Sequence, residues 1–247
     1  MPTALESLVR RADEDRWLAS RFAPAPVRAK LTALYAVNYE IARTGEVVRE
    51  AALGDIRLHW WRDALAEIAG GAAPREHPAL RALAGAFPQA AGPLQALADA
   101  RRADLDPAPF QTWEDVERYL DATAGALMRL AIEACAPEAS AALAHVVQPA
   151  ARAWGFIGLT RSAQFWQARG RSIYPREERA RETMLMRAEA AHAAARAAPA
   201  PPAAAFPALG YVALAPAYLR ALRSGKSEPS VFARQLRLIA AAASGRL

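Results

Sequence analysis

The stretch Leu31-Thr32-Ala33-Leu34-Tyr35-Ala36-Val37-Asn38-Tyr39-Glu40-Ile41-Ala42-Arg43-Thr44-Gly45-Glu46 decides the fold class. Leu31, Leu34, Tyr35, Asn38 and Ile41 recur at three- and four-residue steps, the spacing that stacks side chains on one face of an α-helix. The predicted helix runs from about 26 to 50, and Pro24 and Pro26 fit a short connection leading into it. Asn38 and Glu40 are polar residues in apolar surroundings, and packed helices rarely bury such groups without partners. Either they line a polar pocket inside a helical bundle, or they join an interhelical network in which Glu40 or Glu46 pairs with Arg43 or a neighbouring arginine.

The same periodicity extends in both directions. Residues 3–19 read as one amphipathic helix. A helix over 54–69 carries Ile56, Trp60 and Leu65 on one side and stops at Gly70-Gly71. Short helices are expected over 78–87 and 93–105. Thr112, with Asp115 three residues on, marks a capped start for a helix running to 135. A long apolar helical stretch covers 138–168, with Pro149 as a candidate break. Residues 177–197 read as an exposed helix and APAPPAAAFP, 198–207, as a loop; helices over 208–223 and 230–243 follow. Alanine and leucine favour helix, and no alternating run of Val, Ile and Thr suggests strands. The 247 residues, 53% hydrophobic, can bury one large core. The expectation is an all-α chain forming one domain over 1–247.

The net charge of +6 suits an acidic partner, an anionic membrane surface or a diphosphate ligand, and equally serves solubility alone. The arginines are spread along helices and no nucleic-acid motif accompanies them, so no nucleic-acid partner is expected. The single cysteine, Cys135, cannot form an internal disulfide and reads as a small core residue in a reducing compartment. The start, MPTALESLVRRADEDRW, has no apolar signal-peptide core, and no uncharged apolar run has the length of a membrane span. A cytoplasmic protein, or one attached peripherally to the inner membrane, is expected.

Two further stretches carry chemistry-bearing residues. Arg161 to Pro175 ends a helix in a basic, glycine-containing turn, where arginines complement the helix dipole or bind a phosphate or carboxylate. Asp104-Leu105-Asp106, Thr112 to Leu120 and Thr123-Ala124-Gly125 combine acids in a first helical turn with small residues that permit close helix approach; a structural role is the simpler reading. His59, His77, His145 and His192 lack metal-ligand spacing, so neither a metal site of that type nor a cofactor is expected.

Taken together, Leu18-Ala19-Ser20-Arg21-Phe22-Ala23-Pro24, Arg28, Ala33-Leu34-Tyr35-Ala36, Trp61-Arg62, Asp104-Leu105, Tyr119, Ala124-Gly125, Arg161 and Gly170-Arg171 through Pro175 form an ordered series. Across about 15–176 that series resembles the squalene/phytoene synthase family. The resemblance implies an all-α isoprenoid-synthase bundle around a central cavity. In active members two aspartate-rich helices face each other there and hold the magnesium ions that bind a prenyl diphosphate. Magnesium prefers six oxygen ligands and commonly bridges carboxylates to phosphates, which is why the chemistry needs those acids.

This sequence departs from that pattern. The first aspartate cluster falls on Ala42, Arg43 and Glu46, leaving one acid. The second falls on Ser162 and Trp166, with Gly158 in place of an asparagine, and no Asp or Glu occurs between Glu138 and Glu177. Ala36 to Ala42 and Ile56 to Arg62 look more like the non-catalytic subgroup that resembles the mitochondrial complex I assembly factor. That similarity implies a protein that performs no catalysis and assists assembly of the respiratory NADH dehydrogenase at the inner membrane, with complex I subunits or assembly proteins as partners. Arg21, Arg28, Tyr35, Asn38, Glu40, Arg43, Glu46, Arg161 and Arg171 are then candidates for a residual pocket that takes an anion, a lipid or a prenyl ligand. An active head-to-head prenyltransferase is the alternative. It would need Glu40 and Glu46, with Asp99 or Asp104, to hold magnesium. A lipid-binding protein without an assembly role is a third reading.

Overall fold

The computed structural model describes residues 3–247, and the regular elements among them are all helical. Helix α1 (Ala4–Ala12) opens on a reciprocal cap, in which Thr3 N–H donates to Glu6 at 2.9 Å and Glu6 N–H donates to the Thr3 hydroxyl at 3.1 Å. Asp13 ends α1 and starts α2 (Glu14–Ser20), so the single helix expected over 3–19 is two. The Asp13 carboxylate accepts the Arg16 N–H at 3.2 Å, a local bond that competes with helix continuation.

The central helix α3 spans Ala25–Ala42, and its residues 31–37 are buried on every side. It stops well short of 50. A separate turn, α4 (Thr44–Val47), follows because the chain there presses against the next layer. A Cβ on Gly45 would lie 3.1 Å from the Asp104 carbonyl oxygen and 3.2 Å from the Trp166 ring, so only glycine fits without displacement. Helix α5 (Ala51–Ala69) ends at Gly70-Gly71 as expected, with Gly71 at φ +80°. Of the expected face Leu65 points inward, together with Leu58, Trp61 and Ile68, while Ile56 is 66% and Trp60 38% exposed.

Helices α6 (Pro78–Ala86) and α7 (Ala91–Ala100) lead into a 3₁₀ turn, Arg101–Leu105. Helix α8 (Trp113–Leu120) starts at the Thr112–Asp115 capping box and runs through a π turn, Asp121–Gly125, into α9 (Ala126–Cys135). Cys135 is half-buried against the core, and its thiol is pushed up to about 12 by burial. Helix α10 (Ala144–Gln167) begins later than expected and passes through Pro149 unbroken. Helix α11 (Ala180–Ala197) lies along α10 and is half-buried rather than exposed, through Met184, Leu185, Ala188 and His192. Part of the expected loop is ordered as α12 (Phe206–Leu209); α13 (Ala215–Arg223) and α14 (Val231–Ser244) complete the chain. Contrary to the expectation that no apolar run reaches the length of a membrane span, residues 203–223 are long and apolar enough to cross a membrane, and 89% of their apolar stretch is packed inside the bundle.

A polar cluster joins the two ends of this chain. Asp15 on α2 is 3% exposed; its carboxylate accepts from the Tyr218 hydroxyl at 2.5 Å and from Arg234 at 2.9 Å. Arg234, also 3% exposed, donates to Glu14 at 2.6 Å as well. A carboxylate this deep is destabilising unless paired and hydrogen-bonded, so α2, α13 and α14 are held together by one demand.

Burial holds the Asp15 carboxyl above its usual 3.8, outweighing the Tyr218 hydrogen bond and the charge of Arg234. The folded state therefore binds this proton more tightly than the unfolded chain. The group's contribution to stability is full below the ordinary aspartate value and declines as pH rises through its folded value. Tyr218→Phe removes a donor that favours the ionised form. The substitution is expected to cost about 1–3 kcal/mol at neutral pH and distinctly less near the ordinary aspartate value. Urea denaturation at the two pH values checks this; equal losses would contradict it.

Candidate functional site

Between α1, α2, α3, α4, α8, α9 and α10 lies a cavity of about 790 Å³. Its floor is apolar, built from Leu120, Ala124 and Leu127 on one side and Trp154 and Leu159 on the other. The π turn sits in this wall, where it widens the helix beside the cavity. The rim is charged, and most of its charges already have partners.

One such group is centred on Asp104. It accepts from the Tyr119 hydroxyl at 2.6 Å and from Arg101 at 3.3 Å, and Arg101 also donates to Tyr119 at 2.8 Å. Burial drives the Tyr119 phenol well above its ordinary value, so it stays a neutral donor. Arg171 reaches back from the turn after α10 and donates to the Asp104 carbonyl at 2.5 Å, its guanidinium 5.3 Å from the Trp166 ring. On the opposite wall Arg16 pairs with Asp13 and lies 4.9 Å from the Tyr211 ring and 5.9 Å from the Tyr35 ring.

Of the nine sequence candidates, Asn38, Glu46, Arg161 and Arg171 line the cavity. Asn38 presents a buried side-chain oxygen with no hydrogen-bond partner. Arg161 stacks 4.9 Å from the Tyr218 ring and pairs with Glu228 at 3.3 Å. The other five are placed elsewhere. Glu40 faces away from the cavity, bound to Arg43 at 3.3 Å and Arg57 at 3.4 Å, which is the interhelical network rather than the pocket. Arg43 turns outward with it, 5.4 Å from the Tyr39 ring. Tyr35 is buried in the core behind Arg16, Arg21 pairs with Glu6 at 3.5 Å, and Arg28 donates to the Ala23 carbonyl at 3.2 Å. Sequence reasoning missed Asp15, Arg16, Arg101 and Arg234: Asp15 and Arg234 have their partners on distant segments, and Arg16 and Arg101 add to a local acid the distant rings of Tyr211 and Tyr119; only the polarity of Asp13 to Arg16 within an amphipathic helix hinted at them.

The magnesium pattern can be tested against this geometry. Ala42 and Glu46 face the cavity from one side, and Gly158, Ser162 and Trp166 face it from α10. The positions are those of two opposed ligand sets, but the donors are not. Glu46 is the one carboxylate that α3 and α4 bring to the cavity, its carboxyl raised by partial burial against the pull of Arg43 and Arg169. On α10 a Cβ at Gly158 would meet open space, Ser162 donates to the Leu159 carbonyl at 3.0 Å, and Trp166 packs against Gly45. Asp104 is engaged by Tyr119 and Arg101, while Asp99 pairs with Arg62 at 3.7 Å outside the cavity. Among the described residues no group of three His, Cys, Asp or Glu side chains converges to hold a metal. These residues do not fit a magnesium–diphosphate cluster.

Residues 9–233 match the family described as squalene/phytoene synthase. The chain is similar to the mouse (Mus musculus) protein named NADH dehydrogenase (ubiquinone) complex I, assembly factor 6, at 24% identity over 68% of this chain and 51% of that one. Similarity to the Homo sapiens protein of the same name is 26% over 51% of this chain and 38% of that one. The chain thus spans about half the length, or less, of these curated relatives. A crystal structure of a dehydrosqualene synthase in complex with ligand shares the fold, with a TM-score of 0.72 at 17% identity over 97% of this chain and 94% of that one. With nearly its whole length matched and the helical bundle in place around its cavity, the chain belongs to the squalene/phytoene synthase family.

Proposed function

We propose that this chain is a non-catalytic member of its family that assists assembly of respiratory complex I at the membrane. The observation that carries the reading is the α10 wall. Gly158, Ser162 and Trp166 stand where a diphosphate-binding metal cluster needs oxygen donors. Ionising an allylic diphosphate requires that charge beside the leaving group, and Glu46 opposite an indole, with Asp104 already engaged by Arg101 and Tyr119, does not supply it. The named relatives support the assembly role. The scaffold keeps its cavity and its buried polar ties, features a binding protein uses without catalysis.

An active prenyltransferase is the second reading. It is favoured by the placement of Glu46 near enough to Asp104 for their charges to interact inside the cavity. In that reading the two carboxylates hold magnesium once Arg101 and Tyr119 release Asp104.

Deleting the gene in the source organism is expected to lower the amount of assembled NADH dehydrogenase, read on native gels. A tagged copy is expected to recover that enzyme's subunits from solubilised membranes. Normal assembly in the deletion strain would sink the proposal. The α10 wall gives a second expectation. Ser162→Asp with Trp166→Asp places two carboxylates one helical turn apart facing Glu46, so calorimetric magnesium binding is expected to appear in the double variant and to be absent from the natural chain. Binding of equal strength in both would contradict the reading.

A further inference from the structure

The outer face of α14 is apolar. Phe232, Leu236 and Ile239 are 69%, 52% and 58% exposed, and they stand at positions i, i+4 and i+7, one stripe along the helix. The inward stripe of the same helix is Arg234, Leu238 and Ala241, so the exposed one is not its core contact. Beside the exposed stripe runs a groove of about 520 Å³, which shares Leu236 and Ala240 with α14 and is walled by α11.

The lining of that groove is basic. Arg196, Arg237 and Arg246 line it, together with His192, and no Asp or Glu does. His192 is 7% exposed, and its Nε2 is buried without a hydrogen-bond partner. Arg237 is held below its ordinary value, by burial first and then by the charges of Arg220 and Arg196. Among the described residues its side chain makes one hydrogen bond, from Nε to the Ala213 carbonyl at 3.1 Å, which leaves the forked end of the guanidinium without one. Several arginines elsewhere on this chain are paired with carboxylates. Arg152 holds Glu117 at 2.5 Å and Asp121 at 2.7 Å, and Arg223 holds Glu189 at 2.6 Å.

We propose that α14 and the groove beside it form a docking face for an anionic phospholipid surface. Phe232, Leu236 and Ile239 enter the boundary between headgroups and acyl chains, and Arg196, Arg237 and Arg246 take the lipid phosphates. An apolar helical stripe flanked by cations is the pattern of a helix lying in the membrane interface. A bilayer supplies apolar depth and negative charge together, whereas an acidic protein would have to match a narrow ridge of large side chains as well. The exposed stripe of α5 lacks this character. Leu53, Ile56 and Trp60 alternate there with Asp55, Arg57, Arg62 and Asp63, a mixed surface with no charge preference.

The test is co-sedimentation of the full chain with vesicles of phosphatidylcholine, alone or mixed with phosphatidylglycerol. Binding is expected to the mixed vesicles, to weaken with added salt, and to be lost in Phe232→Ser with Ile239→Ser. Each guanidinium near an anionic surface contributes about fivefold in affinity, so Arg196→Gln with Arg246→Gln is expected to weaken binding by about 25-fold. These four side chains are exposed, so the variants are expected to keep the natural thermal unfolding midpoint, and Ile56→Ser on α5 is expected to bind normally. Failure of the natural chain to bind mixed vesicles overturns the proposal, as does equal binding by the α14 variants. So does a result in which those variants lose only an acidic protein partner.

Discussion

The structure depends on one buried carboxylate. Asp15 lies deep in the bundle, and the partners that make this tolerable, Tyr218 and Arg234, come from the far end of the chain. Ion pairs of this kind contribute little net stability against an apolar alternative, but breaking one leaves a charge stranded in the core. The consequence is geometric. Helix α2 is fixed against α13 and α14, and with it Arg16, wedged beside the rings of Tyr35 and Tyr211. That wedge forms one wall of the central cavity, so the shape of the cavity follows from polar satisfaction as much as from apolar packing.

The other walls show what the scaffold has kept and what it has given up. The helices still meet around a roomy space with an apolar floor, and the positions that would face a metal cluster still face it. Their chemistry has changed. Trp166 spans the gap to Gly45, Arg171 closes over Trp166 and binds the Asp104 backbone, and Asp104 is neutralised by Arg101 and Tyr119. Of these residues Trp166 departs from the family's pattern, whereas Asp104, Tyr119 and Arg171 belong to the ordered series that matches it. The cavity wall formed by Trp166, Arg171 and Asp104 carries packing and hydrogen bonds, which supports the proposal of a protein that works by binding.

Much of the fold was legible in local sequence. The stripe Leu31, Leu34, Tyr35 and Ile41 marked the central helix, Thr112 and Asp115 marked a capped start, and Gly70-Gly71 marked a stop, because each signal acts within a few residues. Local reading failed where apolar residues occupy two faces of one helix. In α5 the phase of Ile56 and Trp60 was as plausible as that of Leu58, Trp61 and Leu65, and only the neighbouring helix decides between them. It failed again at Glu40 and Arg43, where the network reading and the pocket reading predict the same residues and differ only in helix rotation. Asp15 and Arg234 lay beyond reach because their meaning is each other, separated by most of the chain. The loss of carboxylates was the most legible functional feature, since an acid-free interval from Ala139 to Arg176 is a statement about composition and survives any shift in register.

The most direct test of this account is a single-turnover assay of the purified natural chain with a labelled prenyl diphosphate and saturating magnesium, read as diphosphate release and as hydrocarbon product. Neither is expected to exceed the rate without protein. Magnesium-dependent release that is abolished by Glu46→Ala would show a working ionisation site and contradict it.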